Sequence, residues 1–270
     1  MTLPTALFEV HADTVTPTAL SRGPWDPRHC HGGPVSALLA RAVEHASQTG
    51  GEPPGQIGRL TIELTRPVPV ERALTLTTEV ERPGRKVSLL AAVLRDGDTE
   101  VARVRSLWLR DDDVPVPAES TAGTDEPGMG TAGSGRLERS TWALTDGPAF
   151  HSHACEHRFL EGGWLHQGPA AVWIRLTVPV VDGEEPSGLQ RTAAAADFGN
   201  GVAGALPIEQ FTFINPDLTI HLLRPAVGDW IGLRSVSHYG HRGAGLAESA
   251  LFDAQGRLGR GVQTLLVAPR

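Results

Sequence analysis

Apolar positions recur along this chain with two different periods. Over Val35-Ser-Ala-Leu-Leu-Ala-Arg-Ala-Val-Glu-His45 they fall at Val35, Leu38, Leu39 and Ala42, the spacing of one helix face, and the run is reached through His29-Cys-His-Gly-Gly-Pro34. Beyond Gly50-Gly-Glu-Pro-Pro54 the period drops to two: Leu60, Ile62 and Leu64 alternate with Thr61 and Glu63, and 74–80 alternates in the same way. Strands follow at 87–94 and 101–109, with Asp96-Gly97 between them as a hairpin turn. With a short strand at 8–10 ahead of it, the first half predicts one helix and then an antiparallel meander.

From 111 to about 136 the pattern lapses into Pro, Gly, Ser, Thr and acidic residues, including Gly128-Met-Gly-Thr-Ala-Gly-Ser-Gly135. This divides the chain into a domain at 1–110, a flexible linker at 111–148 and a domain at 149–270. Patterning resumes near Phe150, with Glu156-His-Arg-Phe-Leu-Glu161 and Ala171-Val-Trp-Ile-Arg-Leu-Thr-Val-Pro179 as strands. A helix is then expected over Leu189-Gln-Arg-Thr-Ala-Ala-Ala-Ala-Asp-Phe-Gly-Asn-Gly201, whose alanine face leaves room for a close approach and whose fraying end is marked by Gly199 and Gly201. Next comes Asp217-Leu-Thr-Ile-His-Leu-Leu-Arg-Pro225. Set beside Arg59-Leu-Thr-Ile-Glu-Leu-Thr-Arg-Pro67, it is identical at six of nine positions, and the later strands of the two halves also correspond. The chain is an internal duplication, with the alanine helix standing where the first half has its own. The fold class is α+β: two tandem helix-plus-antiparallel-sheet units, each helix covering its apolar stripe on a curved sheet, joined through edge strands into one continuous sheet.

Composition narrows the function. The 270 residues are 40% hydrophobic and 20% charged, enough for a substantial core, and the net charge of -7 argues against a nucleic-acid partner held through phosphates. Only Cys30 and Cys155 are present, so neither a disulfide framework nor Cys-x-x-Cys metal spacing exists, and a reducing, cytoplasmic compartment is expected. Met1-Thr-Leu-Pro-Thr has no basic region followed by an apolar run, and no apolar stretch approaches the roughly 20 residues that span a bilayer, so no membrane partner is expected. His29, Cys30 and His31 form a short cluster, but no further ligands stand at matching spacing; with His151 and His153 they read as loop residues, and no metal or cofactor is expected. Arg66 and Arg224 recur in both halves and read as structural.

Asp197 is the unusual residue, an acid at the end of an alanine face near a helix C-terminus, where an anion is electrostatically unfavourable. The His31-Gly-Gly-Pro34 run, Ala196-Asp-Phe198, the strand from Asn215 to Pro225 and the closing Val262-Gln-Thr264 together resemble the double-hotdog acyl-CoA thioesterases of the type II, TesB-like kind. That resemblance implies a fold, a double hotdog, and an activity, hydrolysis of a fatty acyl-CoA or related acyl thioester, with acyl-CoA as the small-molecule partner and homo-oligomers common. It also implies that a water is held by an Asp, a Thr and a Gln, which carry over to Asp197, Asn215 and Gln263. Asn215 departs from the family Thr, and Thr219 is the next candidate if the register shifts. Asp197 then serves as base, with Asn215 and Gln263 orienting the water. Backbone N–H groups of Gly32 and Gly33 are candidates to bind the carbonyl oxygen or a phosphate, Phe198 helps shape the acyl pocket, and Arg82, Arg85, Lys86, His241 and Arg242 are candidates for the coenzyme A phosphates. The competing reading is a hotdog protein that binds an acyl thioester or another apolar ligand without hydrolysing it. A hydratase would need an Asp and His pair at a helix start, and none is evident in the sequence.

Overall fold

The alternating stretches become strands of a single sheet. The computed structural model describes residues 3–49, 54–117, 120, 128–140 and 147–270. In chain order the first half contains β1 (Phe8–His11), β2 (Thr14–Pro17), helix α1 (Gly32–Thr49), β3 (Gly55–Glu63), β4 (Leu74–Arg82), β5 (Val87–Asp96) and β6 (Thr99–Arg110). The second half contains β7 (Arg136–Glu138), β8 (Cys155–Glu161), β9 (Ala170–Leu176), α2 (Gly188–Ala196), α3 (Gly199–Ala203), β10 (Phe211–Ile214), β11 (Asp217–Leu222), β12 (Trp230–Tyr239), β13 (Ala244–Asp253) and β14 (Gly256–Pro269). The strands lie in the order β1-β2-β4-β5-β6-β3-β11-β14-β13-β12-β9-β8-β7, with β10 also beside β14.

The seam between halves is the antiparallel pair β3–β11, where the two copies of the repeat meet: Thr61 opposes Thr219, Ile62 opposes Leu218 and Leu60 opposes Ile220. A pseudo-twofold axis therefore runs through the Thr61–Thr219 pair. Arg105 faces Thr61 as Val262 faces Thr219, so Ser106 is the first-half counterpart of Gln263.

Helices α1 and α2 bury their apolar faces on this sheet, with Leu38, Leu39, Val43 and Ala193 fully buried in one core. The close approach anticipated on the alanine face is made by α1, since a Cβ on Gly33 would lie 2.6 Å from the Phe150 ring and 2.8 Å from Ala194 O. Residues 118–119, 121–127 and 141–146 of the expected linker lie outside the described residues; within the rest, β7 pairs with β8 and Gly130 O accepts a 2.7 Å hydrogen bond from Trp173 Nε1.

One expectation fails. The second-half helix does not fray out over Gly199 to Gly201, but stops at Ala196 and restarts at Gly199. In a continuous helix Asn200 N–H would donate to Ala196 C=O, and Asp197 C=O would accept from residue 201. Both groups are instead taken by one buried side chain: Gln263 Oε1 accepts from Asn200 N at 3.1 Å, and Gln263 Nε2 donates to Asp197 O at 3.1 Å. A side chain inserted into the ladder breaks it there.

Candidate active site

The break presents Asp197 at the wall of a cavity of about 510 Å³ between the two halves. The cavity is lined by Trp25, His31, Gly32 and Val35 from the first half's loop and helix, by 64–68 after β3, and by Asp197, Phe198, Asn200, Phe213 and Asn215 from the second half. The Asp197 side chain is only 2% exposed, so its charge depends on protein donors. Asn215 Nδ2 donates to its Oδ1 at 2.8 Å and Gln263 Nε2 lies 3.3 Å from the same oxygen, while His31 Nδ1 stands 2.8 Å from Oδ2. So short a contact between an imidazole nitrogen and a carboxylate requires one proton between them. Asp197, Asn215 and Gln263, which the resemblance grouped, are thus brought together in space.

His31 is the residue that the sequence reading missed. Taken as part of a loop, it is instead the Asp197 partner, and the Asp–His pair judged absent from the sequence stands at the start of α1. Its ring packs between Phe150 and Phe198, with centroids at 5.1 and 5.0 Å. His151, also read as a loop residue, is buried with its ring 6.4 Å from that of His31. The available signal was His31-Gly-Gly opposite the alanine face. Gly32 is where α1 comes closest to the Asp197 carboxylate, since a Cβ there would lie 2.7 and 2.8 Å from its oxygens.

The remaining expected residues scatter. Phe198 and Gly32 line the cavity. Gly33 does not line it, and its N–H points to His31 Nδ1 at 3.0 Å. Thr219 stands on the opposite face of the sheet, because its neighbours Leu218 and Ile220 are the ones that point into the core. Gln263 is buried behind the cavity wall with both ends of its amide engaged by the 197–200 turn. None of Arg82, Arg85, Lys86, His241 and Arg242 reaches the cavity; the cation that lines it is Arg66, which is exposed. Its repeat partner Arg224 has the structural role expected for both, in a bidentate pair with Asp253 at 2.5 and 2.6 Å.

Burial pushes the Cys30 and Cys155 thiols up, which keeps both protonated and unsuited to nucleophilic attack. His157, edge-on to Phe198, is pushed down to about 3 by burial, helped by His151 and His31, and is neutral. Among the described residues no group of three or more His, Cys, Asp or Glu side chains is placed to hold a metal, and no helix is long and apolar enough to cross a membrane.

Comparison with known proteins gives a consistent result. The model of the acyl-CoA thioesterase N-terminal domain matches residues 21–109 and that of the C-terminal domain matches 119–267. No curated protein matches. Among solved structures, the tesB protein of Mycobacterium avium subspecies paratuberculosis is 18% identical, with 98% of this chain and 97% of that one covered and a TM-score of 0.65. Acyl-CoA thioesterase II TesB2 of Mycobacterium marinum is 14% identical over 97% and 94% of the two chains, with a TM-score of 0.63. A hot dog fold protein of Alicyclobacillus acidocaldarius, described as of unknown function, is 13% identical over 97% and 95%, with a TM-score of 0.71. At such identities these likenesses establish the fold, a double hotdog.

Proposed function

The chain belongs to the acyl-CoA thioesterase family, a thioester hydrolase by that membership, and from this premise we propose that it hydrolyses a fatty acyl-CoA with a water activated at Asp197. The observation that carries the reading is the convergence of His31, Asn215 and Gln263 on one nearly dry carboxylate at a cavity wall. A carboxylate offers about four lone-pair directions; with Asn215 and Gln263 against Oδ1 and His31 against Oδ2, one is left for a water. That water attacks the thioester carbonyl carbon and passes a proton to Asp197. The tetrahedral intermediate then expels the coenzyme A thiolate, which takes that proton back, and the products are the free acid and the thiol.

Asn215 in place of the family Thr suits this chemistry. Its Nδ2 holds Asp197 Oδ1, and its own Oδ1 is an acceptor for the second proton of the water. Gln263 acts on the turn and not on the water, since both ends of its amide are occupied. Trp25, Val35, Leu64, Val68 and Phe213 offer an apolar wall for the acyl group, and Arg66 offers a cation for a coenzyme A phosphate.

The 2.8 Å contact also favours a second reading, in which Asp197 orients His31 and His31 Nε2 takes the proton. One experiment tests both. Thiol release is measured over short, medium and long acyl-CoAs for the wild type, Asp197→Asn and His31→Gln. The main reading expects Asp197→Asn to lose about 10³-fold in kcat and His31→Gln about 10-fold; equal losses near 10³ would transfer the base to His31. A wild type that binds acyl-CoA without releasing thiol would instead establish the non-hydrolytic alternative.

A further inference from the structure

A water attacking beside a carboxylate creates a second negative charge, on the former carbonyl oxygen, which needs a donor fixed in advance. Three donors around Asp197 are already committed: Asn215 Nδ2 to Asp197 Oδ1, Gln263 Nε2 to Asp197, and Gly33 N–H towards His31 Nδ1. Asn200 differs from them. It lines the cavity one helical turn beyond Asp197 and is 7% exposed. Its Oδ1 accepts from Ser237 Oγ at 3.1 Å and from Tyr239 OH at 3.0 Å, while its Nδ2 makes no hydrogen bond to any described residue.

The orientation of that amide is determined by its partners. Ala205 N–H donates to the Tyr239 hydroxyl at 3.2 Å, so the phenolic proton is directed elsewhere, and Asn200 Oδ1 is the acceptor within reach. Turning the amide over would leave the tyrosine proton without an acceptor. The backbone is held as firmly, through Asn200 N–H to Gln263 Oε1. Held at both ends, the NH2 group is a preorganised donor that the fold does not use.

We propose that Asn200 Nδ2 is a catalytic donor to the thioester oxygen, a hydrogen bond that strengthens as the carbonyl becomes an oxyanion. Tyr239 and Ser237 are its positioning residues. The assignment rests on the thioesterase reading above and gives the Asp197–Asn200 turn two tasks: residue 197 takes the proton of the water and residue 200 steadies the charge that the attack creates.

The test compares the wild type with Asn200→Ala by thiol release from hexanoyl- and dodecanoyl-CoA, alongside binding of two non-reacting probes. One probe is the thioether analogue of the substrate, which lacks the carbonyl oxygen and reports all the other contacts, and the other is a trifluoromethyl ketone analogue, which forms a tetrahedral hydrate. The expectation is a fall in kcat of about 10²- to 10³-fold, KM within threefold of wild type, unchanged thioether affinity and a loss of ketone affinity that parallels the loss in kcat. A kcat within fivefold of wild type, or equal weakening of both probes, overturns the proposal. If Asn200→Ala folds poorly, Asn200→Asp keeps both hydroxyls bonded while removing the donor; wild-type kcat in that variant also overturns it. A wild type without thiol release would overturn the thioesterase reading itself, which separates the two failures.

Discussion

Asp197 carries its charge almost without solvent, and each donor around it replaces hydration that burial removed. Such a group tolerates little displacement, and its tightest neighbour is a missing methyl group. A Cβ on Gly32 would lie 2.9 Å from Asp197 Cγ, nearer than such contacts allow, so Gly32→Ala must push the carboxylate aside. Alanine is the better helix former by up to about 1 kcal/mol, so stability should hold. A displacement of about 1 Å is expected to cost on the order of 10²-fold in kcat/KM. Thiol-release kinetics beside a denaturant titration check this, and unchanged kinetics would show that the carboxylate has room to move. The acid at the end of an alanine run was legible because it broke a local rule. His31 was not, because its partner lies in the other half of the chain and no local spacing records a contact across the fold.

At the scale of elements, the two duplicated helices differ in one way that matters. Helix α1 runs for 18 residues while α2 ends after nine. The strand opposite explains the difference. At the position of Gln263 the first half has Ser106, whose short side chain hydrogen-bonds Leu90 O across the sheet and cannot reach a helix. The break is therefore written in β14, not in the helix that contains it, so helix propensity predicted one continuous segment through Gly201. Gln263→Ala should leave Asp197 C=O and Asn200 N–H without their partner, at a cost of about 1–3 kcal/mol. Urea unfolding of the variant measures that cost; a midpoint equal to wild type would mean that the turn holds without Gln263.

Across the whole molecule, what could be read in advance was whatever repeats or alternates. Period-two runs anticipated most of the sheet, and the Leu-Thr-Ile copies anticipated its duplication, because strand pairing follows the same alternation that buries the core. What escaped were β2 and β7, short strands with too little pattern to register, and the side-chain contacts made between halves. Acid should test the ion pairs that brace this arrangement. Burial drives the Asp253 carboxyl up, but Arg224 and the N–H groups of Val227 and Gln255 outweigh it and hold it below the usual range. Hydrogen bonding to Arg41 does the same for Glu184, and that pair links α1 to the segment before α2. Carboxyls depressed in the folded state contribute stability above their unfolded pKa of about 4 and lose it as pH falls through the folded value. Stability should thus decline below about pH 4, and Asp253→Asn should cost on the order of 3 kcal/mol at pH 7 while reducing the further loss at pH 3. Urea titrations at the two pH values provide the check, and an undiminished acid loss in the variant would remove Asp253 from the account. The join at β3–β11 has one more consequence. His31 comes from one copy of the duplicated unit and Asp197 from the other, so two separate chains would lose their meeting point on dilution; a single covalent chain keeps the pair at a high effective concentration in every folded molecule.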